Sequence, residues 1–104
     1  MPNVVFFNSY KLKKGMSTAD FLLAAETLNK EYISKQQGYI LSEIAVDGET
    51  WADFTTFETM DDLNRFLEKS KNPDELAKKF YSFINLMSCR SHCFSVERSY
   101  STSN

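Results

Sequence analysis

The sequence predicts an α+β domain of the ferredoxin-like type, β-α-β-β-α(α)-β, with a four-stranded antiparallel sheet in the order 4-1-3-2 and helices on one face. Three observations carry that expectation. Asp47-Gly48 sits between two β-rich runs, a strong hairpin signal. Ser17 with Asp20, and Thr59 with Asp62, have capping-box spacing at the head of apolar helical stripes. The C-terminal segment from Cys89 alternates between two side-chain classes with the period of a strand.

Val4 to Lys13 (VVFFNSYKLK) is rich in β-branched and aromatic residues and ends at the Lys14-Gly15 turn, so it reads as the first strand. Phe21, Ala25, Leu28 and Tyr32 then form a single stripe, predicting a helix from Thr18 to Gln37 with Gly38 just beyond its end. Tyr39 to Val46 and Thr50 to Phe57 are the next two strands. Leu63, Phe66 and Leu67 mark a second helix ending near Ser70. Asn72-Pro73 reads as a cap followed by Pro at the first helical position, with Leu76, Phe80, Phe83, Ile84 and Met87 on the buried side of that helix. Cys89 to Tyr100 is the last strand. The whole chain, residues 1–104, reads as one domain with a tail that frays from about Ser99.

Composition excludes several classes. The chain has 104 residues, 42% of them hydrophobic and 25% charged, the balance of a globular domain that buries its own core. A net charge of -2 and the absence of a basic run beyond Lys11, Lys13 and Lys14 speak against nucleic acid as a partner. Only four apolar residues, Val4 to Phe7, follow Met-Pro-Asn, and no long apolar run occurs elsewhere, so neither a signal peptide nor a membrane is expected and the location reads as cytoplasmic. Cys89 and Cys93, four apart in a strand, would have Cα atoms roughly 13 Å apart and read as free, buried thiols. With a single histidine they make no zinc quartet.

Nine Phe, five Tyr and one Trp are a heavy aromatic load for this length. A two-residue turn at Asp47-Gly48 would set Ile44 opposite Trp51, Ser42 opposite Asp53 and Ile40 opposite Thr55. An Asp beneath two helices would be a costly unpaired burial, which assigns the Phe54 side of the third strand to the helices. Small Cys89, Ser91, Cys93 and Ser95 join it there. The uncovered face then carries Val4, Phe6, Asn8 and Tyr10; Trp51, Asp53, Thr55 and Phe57; and Arg90, His92, Phe94 and Val96. So many rings on one face predict a homodimer closed face to face.

The run Tyr10-Lys-Leu-Lys-Lys-Gly15, the helix start Ser17 to Phe21, the strand start Gly38-Tyr-Ile and Trp51-Ala-Asp-Phe-Thr-Thr-Phe57-Glu-Thr resemble the dimeric α+β barrel superfamily, particularly antibiotic-biosynthesis-monooxygenase-like domains. The resemblance runs from about Val4 to Glu97. It implies paired sheets, a cleft for a small hydrophobic molecule and, in some members, oxygenation of polycyclic aromatics without a cofactor. Haem-degrading relatives use an Asn, a Trp and a His. Asn8 fits the first, but Phe66 stands at the Trp position and no His lies between Met60 and Met87, so haem is not expected, nor any other cofactor.

For cofactor-free oxidation the resemblance implies Asn, Trp and Tyr side chains around a substrate anion. Asn8 would bond a substrate oxygen, Tyr10 would donate to a developing oxyanion and Trp51 would stack on a planar ring. His92, the only histidine, is of the type that changes charge near neutral pH, and as a neighbour of strand one it would serve as general base. Asp53, Phe6 and Phe94 complete the substrate-binding set. Each has a plainer role available: Trp51 and Tyr10 as interface packing, His92 as a structural hydrogen-bonding group, Asp53 as the partner of an Arg such as Arg90 of the partner subunit. Two functional classes therefore stand side by side, a small-molecule-binding protein that oxidises its ligand and a non-enzymatic ligand-sensing or interaction domain.

Overall fold

The computed structural model describes residues 3–102. Strand β1 (Val4–Leu12) is followed by helix α1 (Thr18–Glu31) and a 3-10 turn at Ile33–Lys35. Strands β2 (Tyr39–Asp47) and β3 (Thr50–Phe57) form the hairpin, helices α2 (Met60–Lys69) and α3 (Glu75–Ser82) follow, and β4 (Ile84–Ser95) closes the sheet. The strand order is β2-β3-β1-β4, all antiparallel, the ferredoxin-like arrangement read from the sequence. The final two residues of the tail expected to fray lie outside the described residues. Residues 96–102 form neither helix nor strand, although the Val96 N–H still bonds the Asn3 carbonyl at 2.9 Å.

The caps work as their spacing suggests. Ser17 Oγ accepts from the Asp20 N–H at 3.2 Å, and Thr59 Oγ1 accepts from the Asp62 N–H at 3.1 Å. The first helix is shorter than its apolar stripe. Tyr32, at φ -133°, leaves the helical region, and the Ser34 and Gln36 side chains donate to the freed carbonyls of Lys30 and Tyr32. Helix α3 is capped by Asp74, whose carboxylate accepts from the Ala77 N–H at 2.9 Å, in place of Asn72. It also ends sooner than predicted. Ile84 is fully buried as the first residue of β4, whereas Met87 is 89% exposed in an irregular stretch where β4 bulges away from β1.

The hairpin turns one residue later than expected. Asp47 pairs with Thr50, so Gly48 and Glu49 are the turn residues and Gly48 has φ +61°. Gly in the first central position is what a II′ turn requires; centring the turn on Asp47-Gly48 would have called for a positive φ at Asp47 in a I′ turn. Ile44 consequently faces Asp53, and Ser42 faces Thr55 with 3.3 Å between hydroxyls. A bulge at Ile40 swings Tyr39 to the Phe57 side.

The largest departure concerns the faces of the sheet. Val4, Tyr10 and Phe57, expected on the open face, are at most 3% exposed and pack beneath the helices. Phe6, Asn8, Trp51, Asp53 and Thr55 share that side by strand alternation. Asp53 is not unpaired there: the Tyr10 hydroxyl donates to its Oδ1 at 2.8 Å, which offsets part of the cost of placing it under the helices. The open face carries Phe7 and Phe54 instead, beside His92 and Phe94, with Phe7–Phe54 ring centroids 5.2 Å apart and His92–Phe94 5.4 Å apart. In β4 the predicted sides hold: Ser91 Oγ donates to Asn8 Oδ1 at 2.8 Å on the helix side, while His92 points the other way. Both cysteines are free, with Cys89 half-buried and Cys93 exposed rather than buried.

Gly38 links the 3-10 turn to β2 at φ +80°, and a Cβ placed there would fall on the Asp62 carboxylate. Asp62 is itself fixed by Thr59 and Arg65, so it cannot easily withdraw. Gly38→Ala is expected to destabilise the protein by roughly 2–4 kcal/mol, from left-handed backbone strain plus overpacking, as read by urea denaturation.

Candidate functional site

The core beneath the helices is divided in two. At one end of the sheet Tyr10, Phe21, Leu28, Phe80 and Ile84 form one cluster, and at the other Val4, Phe57, Leu63 and Phe66 form a second. Between them the sheet presents Phe6 and Asn8 from β1, Asp53 and Thr55 from β3, and Ser42 and Ile44 from β2. These residues floor a cavity of about 270 Å³. Leu22, Ala25 and Asn29 of α1, Phe66 and Leu67 of α2, and Phe80 and Tyr81 of α3 form its walls. Apolar walls with a few convergent polar groups are the composition of a small-molecule site.

The polar floor is held from outside the cavity. Tyr10, only 1% exposed, reaches Asp53 diagonally across the β1–β3 ladder, so its hydroxyl is committed to that carboxylate. Burial and the Asp53 charge push the Tyr10 hydroxyl far above the usual phenol range, which keeps it a donor. Asp53 is raised to about 6 by burial, with the Tyr10 hydrogen bond opposing the shift. Asn8 lies directly across from Asp53 in the β1–β3 register. Ser91 engages its carbonyl oxygen, so the amide NH2 is the group left to donate to a ligand. Burial, with Asp53 contributing, also raises the Tyr81 hydroxyl and the Cys89 thiol, so both stay neutral near pH 7 and Cys89 is a poor nucleophile.

Of the residues singled out in the sequence, the cavity gathers Asn8, Asp53 and Phe6. Tyr10 supports Asp53 from the side, and Trp51 packs edge-on to Phe21 at 5.1 Å in the adjoining cluster. His92 and Phe94 lie on the opposite face: His92 pairs with Phe7 in the register, so it cannot serve as a base to a ligand held by Asn8 or Tyr10. The physical reason is alternation. Ser91, not His92, is the neighbour of Asn8, and one residue along a strand reverses the face. Phe66 and Phe80, expected to be ordinary core, and Asn29 and Tyr81 were not foreseen as lining. Leu22, Ala25 and Asn29 lie at i, i+3 and i+7, a second helical stripe that was legible beside the apolar one.

Among the described residues no helix is long and apolar enough to cross a membrane, and no group of three His, Cys, Asp or Glu side chains could hold a metal ion. No protein-family model matches the sequence, and no curated protein is similar to it. Solved structures are. SnoaB, a cofactor-independent oxygenase from Streptomyces nogalater, superposes with a TM-score of 0.75 at 12% identity, over 95% of this chain and 97% of that one. A monooxygenase from the gene ActVA-Orf6 of Streptomyces coelicolor, in complex with the ligand Nanaomycin D, gives 0.69 at 12% identity over 98% and 94%. A dimeric ferredoxin-like protein from an uncultured marine organism gives 0.68 at 11% identity over 99% and 95%. At these identities the likeness is one of fold. The chain has the ferredoxin-like fold that these proteins share.

Proposed function

We propose that this chain forms a homodimer that binds a hydrophobic, aromatic small molecule in the cavity between sheet and helices and oxidises it with dioxygen, without a cofactor. The observation that carries the reading is the interruption of an otherwise aromatic core by a 270 Å³ cavity whose floor holds Asn8 and Asp53. A side chain larger than Thr55 or Ala25 would have filled such a space had stability alone been served. Asn8 bonds a ligand oxygen, while Phe6, Phe66 and Phe80 enclose the rings. A balanced reaction of this class converts a ring CH2 and O2 to a ring C=O and water: the ligand gives up both electron pairs, O2 accepts them, and one oxygen atom ends in the carbonyl and the other in water. SnoaB and the Streptomyces coelicolor protein, described as an oxygenase and a monooxygenase, support the direction of this reading.

Oxygen uptake with a panel of quinols and polycyclic phenols tests the activity, and ligand-induced thermal shifts test the binding. Turnover in that panel supports the reading; neither turnover nor a shift overturns it.

The dimer rests on the open face. Phe94 is 51% exposed and Leu41 41%, beside Phe7, Phe54 and His92, an apolar patch that a second sheet would cover. Phe94→Glu is expected to shift sedimentation from dimer to monomer at micromolar concentration. A wild-type chain that sediments as a monomer there would remove the dimer from the proposal.

A further inference from the structure

Asn8 and Asp53 face one another across the β1–β3 ladder, both line the cavity, and their opposite-strand placement brings side chains within reach of one small ligand group. Each is already anchored by one bond from a residue outside the lining, Ser91 to Asn8 Oδ1 and Tyr10 to Asp53 Oδ1. That leaves a donor, the Asn8 NH2, and an acceptor, Asp53 Oδ2, on two directly opposed residues of the cavity floor. We propose that Asp53 is the general base of this cavity, taking a proton from the carbon next to a ligand carbonyl while the Asn8 amide donates to the oxygen that gains charge. The inference rests on the reading of the cavity as a ligand site and adds a reaction to it that needs no oxygen.

The step balances without a further reactant. The C–H bond breaks, its electron pair becomes the C=C bond of an enolate, the carbonyl π pair moves to oxygen, and the proton forms an O–H bond at Asp53 Oδ2. Return of the proton to the other end of the enolate isomerises the ligand. Apolar walls on the helix side strengthen both interactions, since they limit the water around Asn8 and Asp53, both half-buried. Tyr10 is a positioning residue: its hydroxyl holds the carboxylate against the floor and opposes the rise in its pKa. The other ionisable groups that feel Asp53 are Tyr10 of β1, Tyr81 of α3 and Cys89 of β4; Glu26 of α1 and Glu43 of β2 also border the cavity, Glu43 pairing with Phe54, and α2 contributes only Phe66, Leu67 and Ser70 to the lining. The tyrosines and the cysteine are neutral through the range in which Asp53 titrates.

The probes are 2-tetralone, 1-tetralone and 2-indanone in D2O, with binding followed by ligand-observed NMR and proton abstraction by deuterium entering the α carbon. For a ketone that binds, exchange above the buffer rate is expected, rising as pH passes about 6, where Asp53 ionises. Asp53→Asn, which keeps the shape and the Tyr10 bond, should lower the catalysed exchange by about 100-fold or more while the ketone still binds. Asn8→Leu should lower it by about 100-fold. Tyr10→Phe should move the inflection to higher pH. Binding with exchange no faster than buffer, or exchange unchanged in Asp53→Asn, overturns the general base and leaves the cavity reading standing. Failure of all three ketones to bind overturns the general base, and the cavity reading falls with it where the quinols and phenols give neither turnover nor a thermal shift.

Discussion

Asp53→Asn is expected to make the protein more stable at neutral pH, by about 3 kcal/mol, while removing the base from the cavity. Asp53 has a folded pKa of about 6 against an ordinary value of 3.8. Between those values the folded state holds more protons at this position than the unfolded state, so stability falls as pH rises through the window. At pH 7 the full cost of ionising a buried carboxylate is present, about two pKa steps of 1.36 kcal/mol each. Asn carries no such cost and its carbonyl oxygen still accepts from Tyr10. Urea denaturation of both proteins from about pH 4 to pH 8 checks this: the curves should converge at the acid end and separate through about pH 6. Parallel curves would show that Asp53 ionises freely and that its partial burial does not penalise the charge. A site that holds a destabilising charge in a cavity has the character of one kept for chemistry rather than for folding.

Phe21→Ala is expected to be the most damaging single truncation, at about 3–5 kcal/mol. Phe21 is fully buried and joins four other rings: it stacks on Phe80 at 5.4 Å and meets Trp51, Phe83 and Tyr10 edge-on at 5.1, 6.0 and 6.1 Å. Tyr10 loses one of its two ring neighbours, Phe21 and Phe80, so the loss combines a cavity with a looser seat for the side chain that bonds Asp53. For a domain of this size the melting midpoint should drop by at least roughly 12 °C in calorimetry. Because Tyr10 is the link, the same variant should move the Asp53 titration as well. A drop of only a few degrees with an unmoved titration would mean that Phe21 does not hold Tyr10 in place against Asp53.

The sites of legible and illegible information are specific. Ser17 and Thr59 announce helix starts because capping depends on residues three apart, whereas Gly38, read as the residue just past the first helix, instead leads from the 3-10 turn into β2, the helix having ended at Glu31. The β2–β3 hairpin was placed within one residue for the same reason. Its relative parity was also right, since sliding the turn by one moved the register by two and kept Ser42 with Asp53 and Thr55 on one face. Such features are local, and short-range chemistry decides them.

Which face the helices cover was not local. The choice turned on Asp53, and burying it looked prohibitive until Tyr10, 43 positions away in sequence, supplied a hydrogen bond at 2.8 Å. The pairing of Asn8 with Ser91 rather than His92 spans 83 positions with no tight turn to fix it, and a bulge in β4 intervenes. Since side chains alternate faces with every residue, an offset of one in that long-range register decides whether His92 joins the cavity or the open sheet. The sequence by itself determined the α+β class, the strand order and an aromatic excess needing two places to go. Only the tertiary structure decided which rings went where, and therefore that the cavity is built on Asn8 and Asp53, because burial energies depend on partners that the chain brings together only when folded.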